Sequence, residues 1–434
     1  MLDRSQPLYL GIDFGTSGCR IALIDDNGLN HGLYKASLPP STGGSNHAEQ
    51  NPLDWWHTLK TLIDKLDIGL KQRIKAIAVD GTSSSLLLAD KHGNPLTPCL
   101  MYNDQRALGE AQSIISSSHA IPSAAKGPSS ALAKLLYLEK QAIKEPFYAL
   151  HQADWISNKL AGEFGYSDSN NCLKLGYDPQ TQCWPEEVIR LINQPSCLPK
   201  VMSPSSVISH IDLTISDAWS LPKETLIIAG MTDSIAASFA AGAKHPGDAV
   251  TSLGSTLVVK VVSTNVVSSD EYGIYSHPYN GNWLVGGASN TGGAALLKHF
   301  NLEQIKQLSQ TIDPEHETGL DYYPLPAVGE RFPFSDSAKK SRTLPRPDSD
   351  AEYFQAMLEG ISNIEKLAYE RLTELGATPV KRIISIGGGS NNTAWQNIRE
   401  RRLQSPMSAP LYQETACGSA LLAREGYSQY CKLS

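Results

Sequence analysis

The chain has 434 residues, 41% hydrophobic and 19% charged, with a formal net charge of −7, values that exclude a membrane-embedded protein and a basic nucleic-acid binder. That length exceeds one ordinary core and predicts two large domains. The seven cysteines, at 19, 99, 172, 183, 197, 417 and 431, lack CxxC spacing, which argues against a disulfide framework or a zinc site; with no apolar signal core and no run of 18 apolar residues, the expectation is a soluble, cytoplasmic protein.

In chain order, Leu8 to Ile12 and Arg20 to Ile24 are apolar runs around the turn Asp13-Phe14-Gly15-Thr16-Ser17-Gly18, and Asp25-Asp26-Asn27-Gly28 ends the second with hairpin chemistry. The two glycines let the turn's N–H groups converge on an anion, Thr16 and Ser17 add hydroxyls, and Arg20 adds a permanent charge. Asp13, at the strand end, could hold a hydrated Mg²⁺ between nucleotide phosphates. An ordinary hairpin with a polar turn accounts for the same residues. Gly28 to Asn51 reads as polar loop, and Asn51-Pro52 opens a helix with Leu53, Trp56, Leu59, Leu62 and Ile63 as its apolar positions. Ile74 to Val79 is a strand ending on Asp80-Gly81-Thr82-Ser83-Ser84-Ser85, and Leu86 to Leu88 resumes as a second strand–turn–strand unit, whose serines also read as plain loop.

Asp104 and Arg106, two residues apart after a strand, read by default as a surface salt bridge. Helices are expected from Ala131 to Lys144 and from Asp154 to Gly162, with Ser196 to Ala218 as irregular surface chain. Thr225 to Ala229 is a buried-type strand stopping at Gly230-Met231-Thr232-Asp233-Ser234, before a small-residue helix, Ile235 to Ala243; Asp233 is well placed as a helix cap. From Val250 the opening pattern returns: a strand to Leu253, the turn Gly254-Ser255-Thr256, and a return strand Leu257 to Val262. Trp283 to Gly287 is a strand, Ser289 to Gly293 a Gly-rich helix entry, and Tyr322 to Asp350 a proline-rich loop holding Gly329-Glu330-Arg331-Phe332-Pro333. A long helix from Asp350 to about Leu375, a strand from Arg382 to Ile386, the run Gly387-Gly388-Gly389-Ser390-Asn391-Asn392, a helix from Trp395 to Leu403 and a last one from about Cys417 to Arg424 complete the chain. The triple glycine is not a dinucleotide fingerprint, since Asn392 stands where G-x-G-x-x-G needs glycine, and no P-loop motif occurs.

In this order, Asp13…Thr16, Asp80-Gly81-Thr82, Asn103-Asp104-Gln105-Arg106, Gly230-Met231-Thr232-Asp233, Gly254-Ser255-Thr256, Gly329-Glu330-Arg331 and Gly387-Gly388-Gly389 resemble the FGGY carbohydrate kinases over nearly the whole chain. The resemblance implies two α/β domains of the actin/hexokinase (ribonuclease H-like) type, each a mixed sheet flanked by helices, with a cleft between them. They would comprise residues 1–240, completed by 412–434, and residues 241–411. It implies transfer of the ATP γ-phosphate to a sugar hydroxyl, with Mg²⁺, by a monomer or homodimer with small-molecule partners only. Gly15, Thr16, Ser17 and Arg20 match the first phosphate loop and Gly254, Ser255 and Thr256 the second. Gly388, Gly389, Ser390 and Asn392 lie where the family holds adenosine, with Gly292 in a neighbouring turn. Asp233 matches the general base, a role that chemistry supports because a sugar hydroxyl is a poor nucleophile until a carboxylate takes its proton. Asp13 and Asp233 are the implied metal carboxylates, and Asp13, Ser84, Asp104 and Asp233 the implied sugar contacts.

Thr82-Ser83-Ser84 replaces the Gln-Met-His of xylulokinases and is nearer the ribulokinase-like branch, so Ser84 would face the sugar where a histidine otherwise stands. Tyr102 occupies a position where many relatives carry tryptophan, and Arg399-Glu400-Arg401-Arg402 departs from the family's Ala-Asp pair. The chain is most similar to the compact ribulose and xylulose kinase-like proteins of cyanobacteria and plants, for which D-ribulose is the implied substrate. D-xylulose, or another ketose or polyol, is the alternative. An ATP-driven switch without a sugar acceptor is a third reading, opposed by Asp233, Ser84 and Asp104.

Overall fold

The computed structural model describes residues 6–117, 121–141, 143 and 145–433. It divides into two compact units, Met1–Ala240 with Glu414–Ser434, and Ala241–Gln413. In the first unit, β1 (Leu8–Phe14), β2 (Gly18–Asp25), β3 (Asn30–Ser37), β4 (Ile74–Gly81), β5 (Val207–His210) and β6 (Leu226–Thr232) form one sheet in the order β5-β6-β4-β1-β2-β3. β1 runs parallel to β4, and β4 to β6, whereas β1, β2 and β3 pair antiparallel. Alternation along β1 sends Leu8, Leu10, Ile12 and Phe14 into a core with Trp55, Leu59, Leu62 and Trp155. The opposite face carries Tyr9, whose ring stacks on Tyr427 of the terminal helix Thr415–Leu433. That helix lies so close that a Cβ on Gly11 would stand 1.9 Å from the Ala416 carbonyl oxygen, so only glycine fits there.

Several local expectations change. β3 lies within the stretch expected as loop; as an edge strand it keeps a polar, half-exposed pattern that hides its extended backbone. The Ser196–Ala218 segment, expected to be irregular, supplies β5 and the helix Leu213–Trp219. Leu86–Asp90 does not return beside β4 but joins a separate sheet with Phe147–His151, Cys99–Leu100 and Glu49–Gln50. In the helix Pro52–Asp64, capped by the Asn51 side chain, Trp55 rather than Leu53 is buried, Leu53 being 44% exposed. The helix from Ala131 ends at Leu138, and Lys144 lies outside the described residues.

In the second unit, β7 (Asp248–Leu253), β8 (Leu257–Ser263), β9 (Tyr275–Tyr279), β10 (Asn282–Ser289), β11 (Arg382–Ile386) and β12 (Met407–Ser408) form a sheet in the order β9-β10-β8-β7-β11-β12. β7 pairs antiparallel with β8 and parallel with β11, as β1 pairs with β2 and β4, so the two units repeat one plan. The helix Asp350–Glu374, capped by the Ser349 side chain, fills this core with Phe354, Met357, Leu358, Ile361 and Ile364. The seven cysteines are free thiols, and no helix among the described residues is long and apolar enough to cross a membrane.

Candidate active site

Because β1, β4 and β6 are parallel neighbours, their C-terminal ends open on one edge, where binding residues collect in such sheets. The register places Asp13 opposite Asp80, and Asp80 opposite Met231, two residues before Asp233. Three carboxylates therefore issue from three adjacent strand ends. Asp80 is fully buried, and burial first, then the Asp13 charge, push its carboxyl well above the usual range, with Asp233 acting in the same direction. It accordingly donates to Asp13, and its Oδ2 accepts from Ser419 Oγ at 2.5 Å. Burial also raises the Asp13 carboxyl, opposed by that hydrogen bond and by Arg20, whose Nη1 lies 3.2 Å from Asp13 Oδ2. Arg20 leans on Asp13 and, at 3.5 Å, on Glu414.

Gly230 accounts for how Asp233 is aimed. A Cβ there would meet the Val79 carbonyl oxygen at 2.0 Å, and the β4–β6 register shifts between Ile228 and Met231. Asp233 then opens the helix Asp233–Ala241 as its first residue, with Ser234 N–H donating to its Oδ1 at 2.6 Å. In the first turn, Gly15 and Thr16 are half-buried and Ser17 is exposed; the Thr16 carbonyl accepts from Gln50 Nε2 at 2.8 Å, and Trp55 Nε1 in turn holds Gln50.

Beyond β4, Gln152 Oε1 accepts from Thr82 N and Oγ1, and Ser85 Oγ pairs with Thr82 Oγ1 and accepts from Tyr102 N. Ser84 sits in the left-handed region at φ +72°. Its hydroxyl oxygen and that of Ser83 are buried without a hydrogen-bond partner in the protein. Asp104 is not a surface group: it is fully buried, and its oxygens are taken by Ala48 N and the Arg106 guanidinium, which also holds Glu49. Burial raises the Asp104 carboxyl, but the Arg106 hydrogen bonds outweigh it and hold it below its ordinary value. The structure thus sets Asp104 within the wall behind Tyr102, which is 44% exposed.

In the second unit the segments expected to hold nucleotide converge. Gly293 N–H donates to Gly254 O at 2.9 Å, Ala294 N–H to Ser255 O at 3.0 Å, and Leu257 N–H to Thr291 O at 2.7 Å, joining Gly254-Ser255-Thr256 to the Gly292 turn. Gly292, at φ +136°, leaves no room for a side chain beside Thr256. Gly387, at φ +84°, and Gly389 press on Leu253, whereas Gly388 has open space where a side chain would project. Ser390 Oγ is turned back to Gly387 O, and Asn392 caps the helix Thr393–Leu403 and holds Ser309. The basic run also turns inward: Arg399 pairs with Glu365, and Arg401 and Arg402 with Glu359, both acids fully buried on the long helix.

Two further residues support the turns of the two units. Asp80, which the sequence offers only as a strand end within Asp80-Gly81-Thr82 and without a site role, copies the position of Asp13 at the end of an apolar strand. Glu330 accepts from Ser289 Oγ at 2.6 Å, Asn290 N at 2.7 Å and Tyr323 OH at 2.9 Å, and so fixes the Gly292 turn. Among the described residues no three His, Cys, Asp or Glu side chains form a metal cage. Mg²⁺ carried by nucleotide phosphates needs only one or two carboxylates, and Asp13 with Asp233 fits that demand.

The model of the FGGY carbohydrate kinase N-terminal domain matches residues 8–240, and that of the C-terminal domain residues 249–424. The xylulose kinase of Streptomyces coelicolor is 26% identical over 439 residues, spanning 96% of this chain and 87% of its own. The gluconokinase of Bacillus subtilis is 23% identical over 451 residues, spanning 95% and 86%. Among solved structures, a xylulose kinase from Rhodospirillum rubrum aligns with a TM-score of 0.85 at 21% identity, over 97% of this chain and 92% of that one. Plasmodium falciparum glycerol kinase with ADP aligns at 0.84 and 16% identity, over 99% and 92%. With both family models matched in order along two units of one repeated plan, the chain belongs to the FGGY family of carbohydrate kinases and is an ATP-dependent sugar kinase.

Proposed function

We propose that the acceptor is a ketopentose, D-ribulose in the first instance, converted to D-ribulose 5-phosphate. Asp233 takes the proton of the sugar hydroxyl as its oxygen attacks the γ-phosphorus and ADP departs. Gly15, Thr16, Ser17 and Arg20 bind phosphate oxygens, as do Gly254, Ser255 and Thr256, while Gly292, Gly388, Gly389, Ser390 and Asn392 line the nucleoside side. Mg²⁺, held by Asp13 and Asp233, would neutralise charge on the phosphates. Asp13 and Ser84 contact the sugar, and Asp104 acts from behind by fixing the Tyr102 turn.

The observation that carries the choice of sugar is Ser84. Its buried hydroxyl lacks a partner within the protein, and a hydroxyl so placed gains most from a ligand hydroxyl of matching orientation. A second reading, D-xylulose, is favoured by relatives named xylulose kinases at 25–26% identity.

A coupled ADP-release assay across D-ribulose, L-ribulose, D-xylulose, ribitol and glycerol separates the two. A buried group left unpaired by the wrong epimer costs about 1–3 kcal/mol, so kcat/KM should favour D-ribulose over D-xylulose by roughly tenfold to a hundredfold. Ser84→Ala should raise the KM for D-ribulose more than that for ATP. The reverse preference, or a Ser84→Ala enzyme indistinguishable on D-ribulose, overturns the assignment.

A further inference from the structure

Lys134 lies in the helix Ala131–Leu138 among Leu132, Leu135 and Leu138, and it is wholly buried. An ammonium removed from water is costly unless its donors are satisfied. Lys134 Nζ donates to two carbonyl oxygens, that of Ser84 at 2.8 Å and that of Met101 at 2.7 Å. Burial pushes its pKa down to about 7; the nearby Cys99 and Asp104 oppose that fall, and Lys174 and Arg106 add to it. The two accepting segments matter more than the charge. One is the left-handed Ser84 turn, a conformation that costs a non-glycine residue about 1–3 kcal/mol and persists only where surroundings enforce it. The other opens the Tyr102–Asp104 turn, itself closed by Asp104 N–H donating to Met101 O at 2.9 Å. One side chain from a third element therefore ties together two turns of the sugar side.

We infer that Lys134 is a positioning residue for the acceptor sugar: its ammonium locks the strained Ser84 backbone against the Met101–Asp104 turn and so sets the direction of the Ser84 hydroxyl. This rests on the reading that Ser84 faces the sugar. Lys134 touches neither sugar nor phosphate in this scheme.

The test compares Lys134→Met, which keeps the length and removes the donors, with Leu135→Ala, a core truncation on the same helix. Lys134→Leu, which also lacks donors, substitutes if the methionine variant does not fold. In the ligand-free protein, amide hydrogen exchange over residues 82–86 and 101–104 should accelerate together, tenfold or more, in the Lys134 variant and not in Leu135→Ala. For whichever ketose the wild type phosphorylates, the KM should rise by roughly tenfold to a hundredfold while the KM for ATP stays within about twofold, the loss expected when a binding group is misaimed. Unchanged exchange in either turn, equal changes in both KM values, or the same pattern in Leu135→Ala overturns the inference. A wild type inactive on every ketose would instead remove the proposed function, and the exchange experiment would still decide the role of Lys134.

Discussion

Replacing Arg399 with methionine isolates the ion pair beneath the glycine turns proposed to hold nucleotide. Arg399 and Glu365 are both fully buried. The guanidinium donates to both Glu365 oxygens and to Ser385 Oγ, each at 2.7 Å, and Thr251 Oγ1 donates to Glu365 at 2.5 Å. Methionine keeps the apolar stem but strips the carboxylate of its counter-charge and two of its three donors. Breaking such a pair from one side costs about 3–5 kcal/mol, against 1 kcal/mol or less for an exposed pair. At roughly 2–4 °C per kcal/mol for a unit of this size, the melting transition should fall by about 6–20 °C. Pairing Arg399→Met with Glu365→Met should recover most of the loss, since replacing both charges by apolar groups is often neutral. Thr251 lies on the strand leading to Gly254, and Ser385 on the one leading to Gly387. Folded Arg399→Met should therefore lose ADP affinity before sugar affinity. Calorimetry on the wild type, both single variants and the double variant reads the cycle. A single variant melting within about 2 °C of wild type, or a double variant no better than its parents, refutes this account.

Asp233→Asn should lower kcat by roughly 10²–10⁴, the usual worth of general-base catalysis, with ATP affinity by titration calorimetry nearly unchanged; near-normal turnover in a folded variant would retire the base assignment. For Asp248, burial raises the carboxyl, but Arg382 and the N–H groups of His245 and Lys244 outweigh it and hold it below the usual carboxylate range. A depressed carboxyl stabilises the fold fully above its unfolded value of about 3.9 and loses that contribution as pH falls through the folded value. Asp248→Asn should thus melt lower at pH 7, with the gap to wild type narrowing steadily as pH falls below about 4; parallel melting curves across that range would contradict the linkage.

Elements with a strong local signature were legible in the sequence. The Leu8–Asp25 hairpin shows two apolar runs around a glycine turn, and the Asp350–Glu374 helix shows a serine cap and a sustained apolar stripe. Polar residues that are buried misled the reading. Ser167 to Asn171 is polar yet buried: Ser167 Oγ donates to Asp154 Oδ2, and Asn170 N–H and Asn171 Nδ2 donate to Asp168. Lys134 passes for a solvent-facing helix residue because its partners are carbonyls, which leave no trace in the amino-acid pattern. Asp80 needed register: only the pairing of β1 with β4 sets it against Asp13. The helical phase at Leu53 failed because a one-residue shift looks equally apolar when two tryptophans stand side by side.

The terminal helix gives the first unit a particular order of assembly during synthesis. It packs so closely that a side-chain carbon on Gly11 would meet Ala416, and one on Gly418 would stand 1.9 Å from the Ala236 carbonyl oxygen. Yet residues 241–413 are translated between that helix and the strands it covers. At ribosomal rates of roughly 5–20 residues per second, those intervening residues take about 10–35 s to emerge. Throughout that time the Tyr9 face of β1 lacks its cover, while the intervening unit can close its own core. The first unit therefore cannot complete its packing until the second has been synthesised.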